Sequence, residues 1–389
     1  MVSIGFVYFC SVIKNNYELQ NDGTMKNILS KRTFIVLPLF LFSLHPLWGQ
    51  KSNFKNDICI PGKLYMLSDI RNDVFVEALI KRWRPYNDFV RFSGDCVYSR
   101  KLNRVASVDT PVDGSNMKIE LVNSDEFEII KEKAISICVG KKGIGTQEVT
   151  VQILGDSFVN GAFFRDALLP KNYIPGIKLV GLRNIKNEEG QYDEGRGGWT
   201  VKKYFEIPKG EMTSYHGYMQ PVGEYRYWGS CEFWKNCYKV INGELTDTEI
   251  VYNCGRYDQC ITKFDKETGY LAAPKKNDLM YDNARGSYMV YTGKKWKNVE
   301  VDERKWAFNY RKYLDMWNLD APKFFAQMLG LNDYRDSLTA DYREWNKKIA
   351  EMKESYYKAV PDGKFIILIP CTTCGSLNNI RGDFTLRQN

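Results

Sequence analysis

The stretch from Val149 to Leu169, VTVQILGDSFVNGAFFRDALL, constrains this chain more than any other. An alternating apolar strand runs into Gly155-Asp156-Ser157 and turns at once into a helical pattern. A serine at a strand-to-helix turn exposes its hydroxyl, and its own backbone N–H lies where developing negative charge is stabilised. A plain turn in which Asp156 or Ser157 caps the helix uses the same tripeptide, so the motif acquires chemical meaning only from what accompanies it.

Two later stretches accompany it. Glu194-Gly195-Arg196-Gly197-Gly198-Trp199-Thr200 follows the strand-like run IKLVGL, and Gly330-Leu331-Asn332-Asp333 follows KFFAQML. In open α/β sheets ligands bind beyond the carboxyl ends of the strands, so three such turns can meet at one crevice. Together they resemble the SGNH, or GDSL, serine ester hydrolases. The resemblance implies Ser157 as nucleophile, and an oxyanion hole made of the Ser157 and Gly198 N–H groups with the Asn332 carboxamide. It implies a three-layer α/β fold with a parallel, flavodoxin-like sheet, and a reaction that needs no metal or organic cofactor. Asp156 and Asp333 adjoin site residues and are assigned to fixing the loops. Arg196 and Trp199 flank the oxyanion glycine, where they either border the substrate or pack.

A serine esterase needs a base, because an unassisted hydroxyl is scarcely nucleophilic at neutral pH. In the family this is a histidine in an Asp-x-x-His block near the C-terminus, and no such block occurs here. The chain has two histidines. His45 lies in an export signal, and His216, in TSYHGYMQP, has no aspartate three residues before it. Three readings follow: a chain cut short of its catalytic pair, His216 acting as the base, or a non-catalytic descendant.

Residues 1–50 read as upstream sequence and a secretory signal. Lys26, Lys31 and Arg32 precede an apolar run from Phe34 to Leu44, and the small Gly49 follows. The run is short for a membrane span, so the expectation is an exported, periplasmic or extracellular protein with no span after cleavage, in a setting where disulfides persist. The net charge of +8 is spread along 389 residues, and no basic stripe interleaved with aromatics marks a nucleic-acid groove.

Residues 51–146 show short apolar runs between turn signals, which predicts a small β-rich domain, a sandwich. Within it, Val105 and Val108 face Met117, Ile119 and Leu121 across a predicted hairpin. Residues 147–389 carry the hydrolase pattern, interrupted at about 205–303 by an insertion rich in Tyr, Trp, Gly and Cys. For most of its aromatics, Tyr215, Tyr218, Tyr225, Tyr227, Trp228, Phe233, Trp234 and Tyr238, a core role is expected, with sugar stacking as the alternative. Cys231 and Cys237, then Cys254 and Cys260, have equal internal spacing and predict two disulfides in any of three connectivities, with a four-cysteine zinc site as alternative. Helical spacing runs through Trp306, Tyr310, Tyr313, Leu314 and Trp317, and again from Leu338 to Tyr356. KFIILIP then suits a buried parallel strand, and Cys371-Thr-Thr-Cys374 follows it.

The sequence therefore points to an exported ester hydrolase acting on acylated, above all acetylated, glycans. The alternative is a glycan-binding protein that keeps the scaffold without the reaction.

Overall fold

The computed structural model describes residues 57–368, except 59, 61, 69–70, 76–78, 82–87, 96, 101–104, 124–125, 141–147, 162–175, 184–191, 211–214, 246–259 and 335–341. Residues 1–50, read above as upstream sequence and an export signal, lie outside those residues, as do Cys254, Leu338 and the Cys371–Cys374 pair.

The first half of the described chain holds nine strands. They are β1 (Asp57–Ile58), β2 (Lys63–Leu67), β3 (Asn72–Phe75), β4 (Ile80–Lys81) and β5 (Asp88–Gly94), then β6 (Val97–Arg100), β7 (Val105–Val108), β8 (Asn116–Asn123) and β9 (Ile129–Gly140). A mixed sheet in the order β2-β9-β8-β5 and an antiparallel sheet β3-β7-β6 share one aliphatic core, in which Val74, Ala106 and Val108 meet Met117, Ile119, Leu121 and Ile137. The predicted hairpin is not formed. β7 pairs with β3 and β6, whereas β8 pairs with β5 and β9, so the turn at Asp113-Gly114 crosses between sheets. Alternation fixes which face is buried but not which strand is the neighbour, and both arms do face the same core.

The second half begins with β10 (Val149–Gly155), helix α1 (Ser157–Asn160), β11 (Ile177–Leu179) and β12 (Glu194–Gly195). Next come β13 (Met219–Pro221), β14 (Arg226–Ser230), helix α2 (Cys231–Ile241), β15 (Asp278–Asp282), β16 (Ser287–Tyr291), β17 (Trp296–Val299) and β18 (Trp306–Phe308). Helix α3 (Tyr310–Trp317), β19 (Phe324–Met328), helix α4 (Leu331–Tyr334), helix α5 (Tyr342–Ala359) and β20 (Lys364–Ile367) complete it. One sheet, β11-β10-β19-β20 with β12 also on β10, is parallel throughout. Its central strands are apolar nearly end to end, as suits burial on both faces.

The expected three-layer α/β architecture is overturned. Strand outweighs helix among the described residues, and five of the six sheets are antiparallel or mixed. The physical reason lies in the insertion and the first half, whose short two-period segments pair into sheets of their own. Residues 226–299 alone form the mixed sheet β14-β15-β16-β17. Trp306, expected on a helix, sits in β18 paired with Pro221; the helix starts only at Tyr310, capped by the Asn309 side chain, which accepts from the Lys312 N–H at 2.9 Å.

The insertion aromatics are core. Tyr215, Tyr218, Tyr227, Trp228, Phe233 and Trp234 are buried, with Tyr225 and Tyr238 packed at the edge. Cys231 and Cys237 both lie on α2, capped by Ser230. Six helical residues separate their Cα atoms by about 9 Å of rise, too far for a disulfide. No disulfide joins two described cysteines. No helix among the described residues is long and apolar enough to cross a membrane.

Candidate functional site

The three sequence blocks leave adjacent strands of the parallel sheet. Gly155, the last residue of β10, is in register with Gly195 on one side and Met328 on the other. Gly195 sits so close to α1 that any Cβ there would overlap the Asn160 backbone. The Arg196 N–H then donates to Gly155 O at 2.9 Å, tying the second block to the first. Asp156 caps α1, its Oδ1 accepting from Phe158 N–H at 3.0 Å, and Ser157 is exposed just beyond.

Asn332 joins the third block to the other two. Its Nδ2 donates to Trp199 O at 3.1 Å and reaches Asp156 Oδ2 at 3.4 Å. The neighbouring Asp333 carboxylate accepts from Val201 N–H, at 3.0 and 3.2 Å to its two oxygens. Between these anchors Gly198 is exposed with φ +72°, a left-handed conformation that favours glycine, and the Trp199 N–H closes the turn on Arg196 O at 3.2 Å. Ser157, Gly198 and Asn332 are thus brought together, and Asp156 and Asp333 act as the fasteners. The 3.4 Å contact is long for a hydrogen bond, so it is the weaker claim on the Asn332 amide.

Asp156 is fully buried. Burial raises its pKa to about 6, and the nearby Asp333 charge adds to the rise while the Phe158 N–H opposes it. Burial likewise raises the Asp333 pKa, against the pull of the Val201 N–H.

Beneath the turn lies a polar network that no local motif announces. The Glu194 carboxylate, wholly buried, accepts from Arg196 Nη1 at 2.7 Å, from Leu182 N–H at 2.7 Å and from Tyr313 OH at 2.6 Å. The Arg196 guanidinium also donates to Tyr215 O at 3.1 Å and lies over the rings of Trp199 and Tyr204, at 5.1 and 5.6 Å. Tyr204 OH lies 2.7 Å from both Gly155 O and Glu194 O. From Tyr313 the network continues to Gln152 in β10, which also accepts from Tyr310 OH at 2.5 Å. Burial, followed by the Glu194 charge, pushes the Tyr313 hydroxyl pKa well up, so it stays a donor. Arg196 and Trp199, 1 % and 7 % exposed, therefore support the turn from inside. Glu194 adjoins the glycine block and was visible in the sequence; its partner Tyr313, far along the chain, was not.

His216 does not serve as the base. It is 1 % exposed, its Nδ1 accepts from Tyr218 N–H at 3.2 Å, and its Nε2 therefore carries the hydrogen given to Glu206 O at 3.0 Å. Burial lowers its pKa to about 3, helped by the Arg196 charge. It is a neutral ring packed against Trp199, Tyr204 and Tyr218. Among the described residues no cluster of His, Cys, Asp and Glu could hold a metal ion. Set against models of known protein families and against curated protein sequences, the chain matches none.

Proposed function

We propose that this protein is an ester hydrolase in which Ser157 is the nucleophile. One observation carries the reading: the Asn332 carboxamide is bonded to the residue before Ser157 and to the residue after Gly198, around an exposed serine hydroxyl. The likeness of the three blocks to those of the SGNH hydrolases supports it.

In the proposed reaction Ser157 Oγ adds to the ester carbonyl carbon and gives up its proton to a base. The carbonyl oxygen becomes an oxyanion, held by the Ser157 and Gly198 N–H groups and by Asn332 Nδ2 as its contact with Asp156 lengthens. Collapse breaks the ester C–O bond, and the alcohol leaves with the proton. Water then cleaves the acyl-serine by the same route in reverse. His216, sequestered as it is, is not the base of this proposal. An acylated glycan is the proposed substrate, and an exported location the proposed setting.

The same sequestration favours a second reading, a protein that binds an acylated glycan without turnover. Release of nitrophenol from p-nitrophenyl acetate separates the two. The hydrolase reading expects Ser157→Ala to reduce release to the buffer rate and Asn332→Ala to lower kcat by roughly 100-fold or more. Release that is unchanged in Ser157→Ala contradicts it. A parent protein at the buffer rate leaves the binding reading in its place.

A further inference from the structure

The Tyr313 hydroxyl joins β10 to β12, and the direction of each of its hydrogen bonds is fixed. Gln152 in β10 accepts at Oε1 from Tyr310 OH at 2.5 Å and from Tyr218 OH at 3.3 Å, so its Nε2 faces Tyr313 and donates to it at 2.9 Å. The single hydroxyl hydrogen of Tyr313 is thereby left for Glu194 Oε1 in β12, at 2.6 Å. Packing holds the ring in place. It is fully buried, stacked on Tyr218 at 4.2 Å between centroids, and seated against Gly217, where an added Cβ would stand 3.1 Å from its Cδ2.

From Glu194 the constraint passes to the turn that carries Gly198. The second carboxylate oxygen holds Arg196 Nη1 at 2.7 Å, and the guanidinium lies over the Trp199 ring at 5.1 Å. Trp199 N–H in turn donates to Arg196 O at 3.2 Å. Arg196 and Trp199 are thus tied twice, through side chains and through backbone, with Gly198 between them. The backbone tie is at the long end of the N–H···O range, so the side-chain tie, set by where Glu194 holds the guanidinium, matters to the shape of the turn. The helix that supplies Tyr313, α3, leads into β19, the strand before Asn332. Tyr313 therefore stands between the supports of Gly198 and Asn332.

We propose that Tyr313 is a positioning residue of the Ser157 site, which holds the Gly198 turn through Glu194 and Arg196 and so aims the Gly198 N–H at the oxyanion. This role rests on the ester-hydrolase reading of Ser157, and it adds a residue that none of the three motifs contains. Tyr310 supplies the contrast. It lies on the same helix, is as fully buried, and its hydroxyl bonds Gln152 and not Glu194. A hydroxyl that serves only packing is worth as much at one position as at the other, whereas one that shapes the turn matters at Tyr313 alone.

The Trp199 amide, whose hydrogen bond closes the turn, reports on this by hydrogen exchange in the full chain labelled with nitrogen-15 tryptophan, without any need for turnover. In Tyr313→Phe that amide should exchange roughly tenfold faster, and kcat for p-nitrophenyl acetate should fall by a similar factor while KM holds. Tyr310→Phe should stay within about twofold of the parent in both. Glu194→Gln, which keeps the shape and removes the charge that Tyr313 and Arg196 share, should quicken the same amide at least as much, and it decides the matter if Tyr313→Phe does not fold. A Trp199 amide that exchanges at the parent rate in Tyr313→Phe, or equal effects in the Tyr310 and Tyr313 variants, overturns the proposal. A parent protein at the buffer rate of hydrolysis overturns the hydrolase reading instead, and the Trp199 amide then decides by itself whether Tyr313 holds the turn.

Discussion

The two halves of this chain bury different things. Among the described residues the first half has an aliphatic core in which Phe92 is the only buried ring, and its two buried acids are met separately, Asp73 by Ser107 and Glu120 by the exposed Arg91 and Lys118. The second half buries a mass of Tyr and Trp, and with them a carboxylate, a guanidinium and a carboxamide that bond one another. Aliphatic packing needs only the right volume, while a buried polar network needs every partner in place. That difference bears on the proposed site, because the demanding core is the one lying under the turns that carry Ser157 and Gly198.

Substitutions that exploit this contrast fall in a definite order. Glu194→Ala takes the carboxylate away from the buried Arg196 guanidinium, and should cost about 3–5 kcal/mol in denaturant unfolding; a cost near zero would mean that the network does not hold the turn. Leu121→Ala, in the aliphatic core, should cost about 3 kcal/mol and leave the reactivity of Ser157 unchanged. Lys118→Ala should leave the melting temperature within measurement scatter.

Asp156 gives a pH signature between these extremes. Its folded pKa of about 6 lies above the ordinary carboxylate value, so its contribution is fully present below about pH 4 and is lost as pH rises through 6. Asp156→Asn keeps an acceptor for the Phe158 N–H and carries no charge. The melting temperature of the variant relative to the parent should therefore rise between pH 4 and pH 8, and a flat difference would contradict the burial argument.

What could be read from the sequence was local. The turns at Gly155-Asp156-Ser157, Gly198 and Asn332 are each written as a strand followed by glycine or a small polar residue, and the helices at 310–317 and 342–359 show their apolar spacing. What could not be read was pairing at a distance. The segments around Val105 and Met117 look like one hairpin yet join different sheets, and the two-period segments between 226 and 299 build a mixed sheet where an insertion of unknown form was expected. Trp306 fits a helical stripe but pairs with Pro221. Tyr313 meets Glu194 only because α3 packs over β10, and nothing within either segment encodes that meeting. The resemblance of three motifs leads to the proposed site, but it overstated the fold, because motifs at strand ends say nothing of the sheets that other segments form.

The central claim is that Ser157 is an activated nucleophile facing the Gly198 amide and Asn332. Treating the full-length protein with a fluorophosphonate and mapping the adduct by mass spectrometry tests it most directly. The expected result is one adduct on the peptide carrying Ser157, slowed in Asn332→Ala and absent in Ser157→Ala. An unlabelled Ser157, or equal labelling of other serines, would contradict the account.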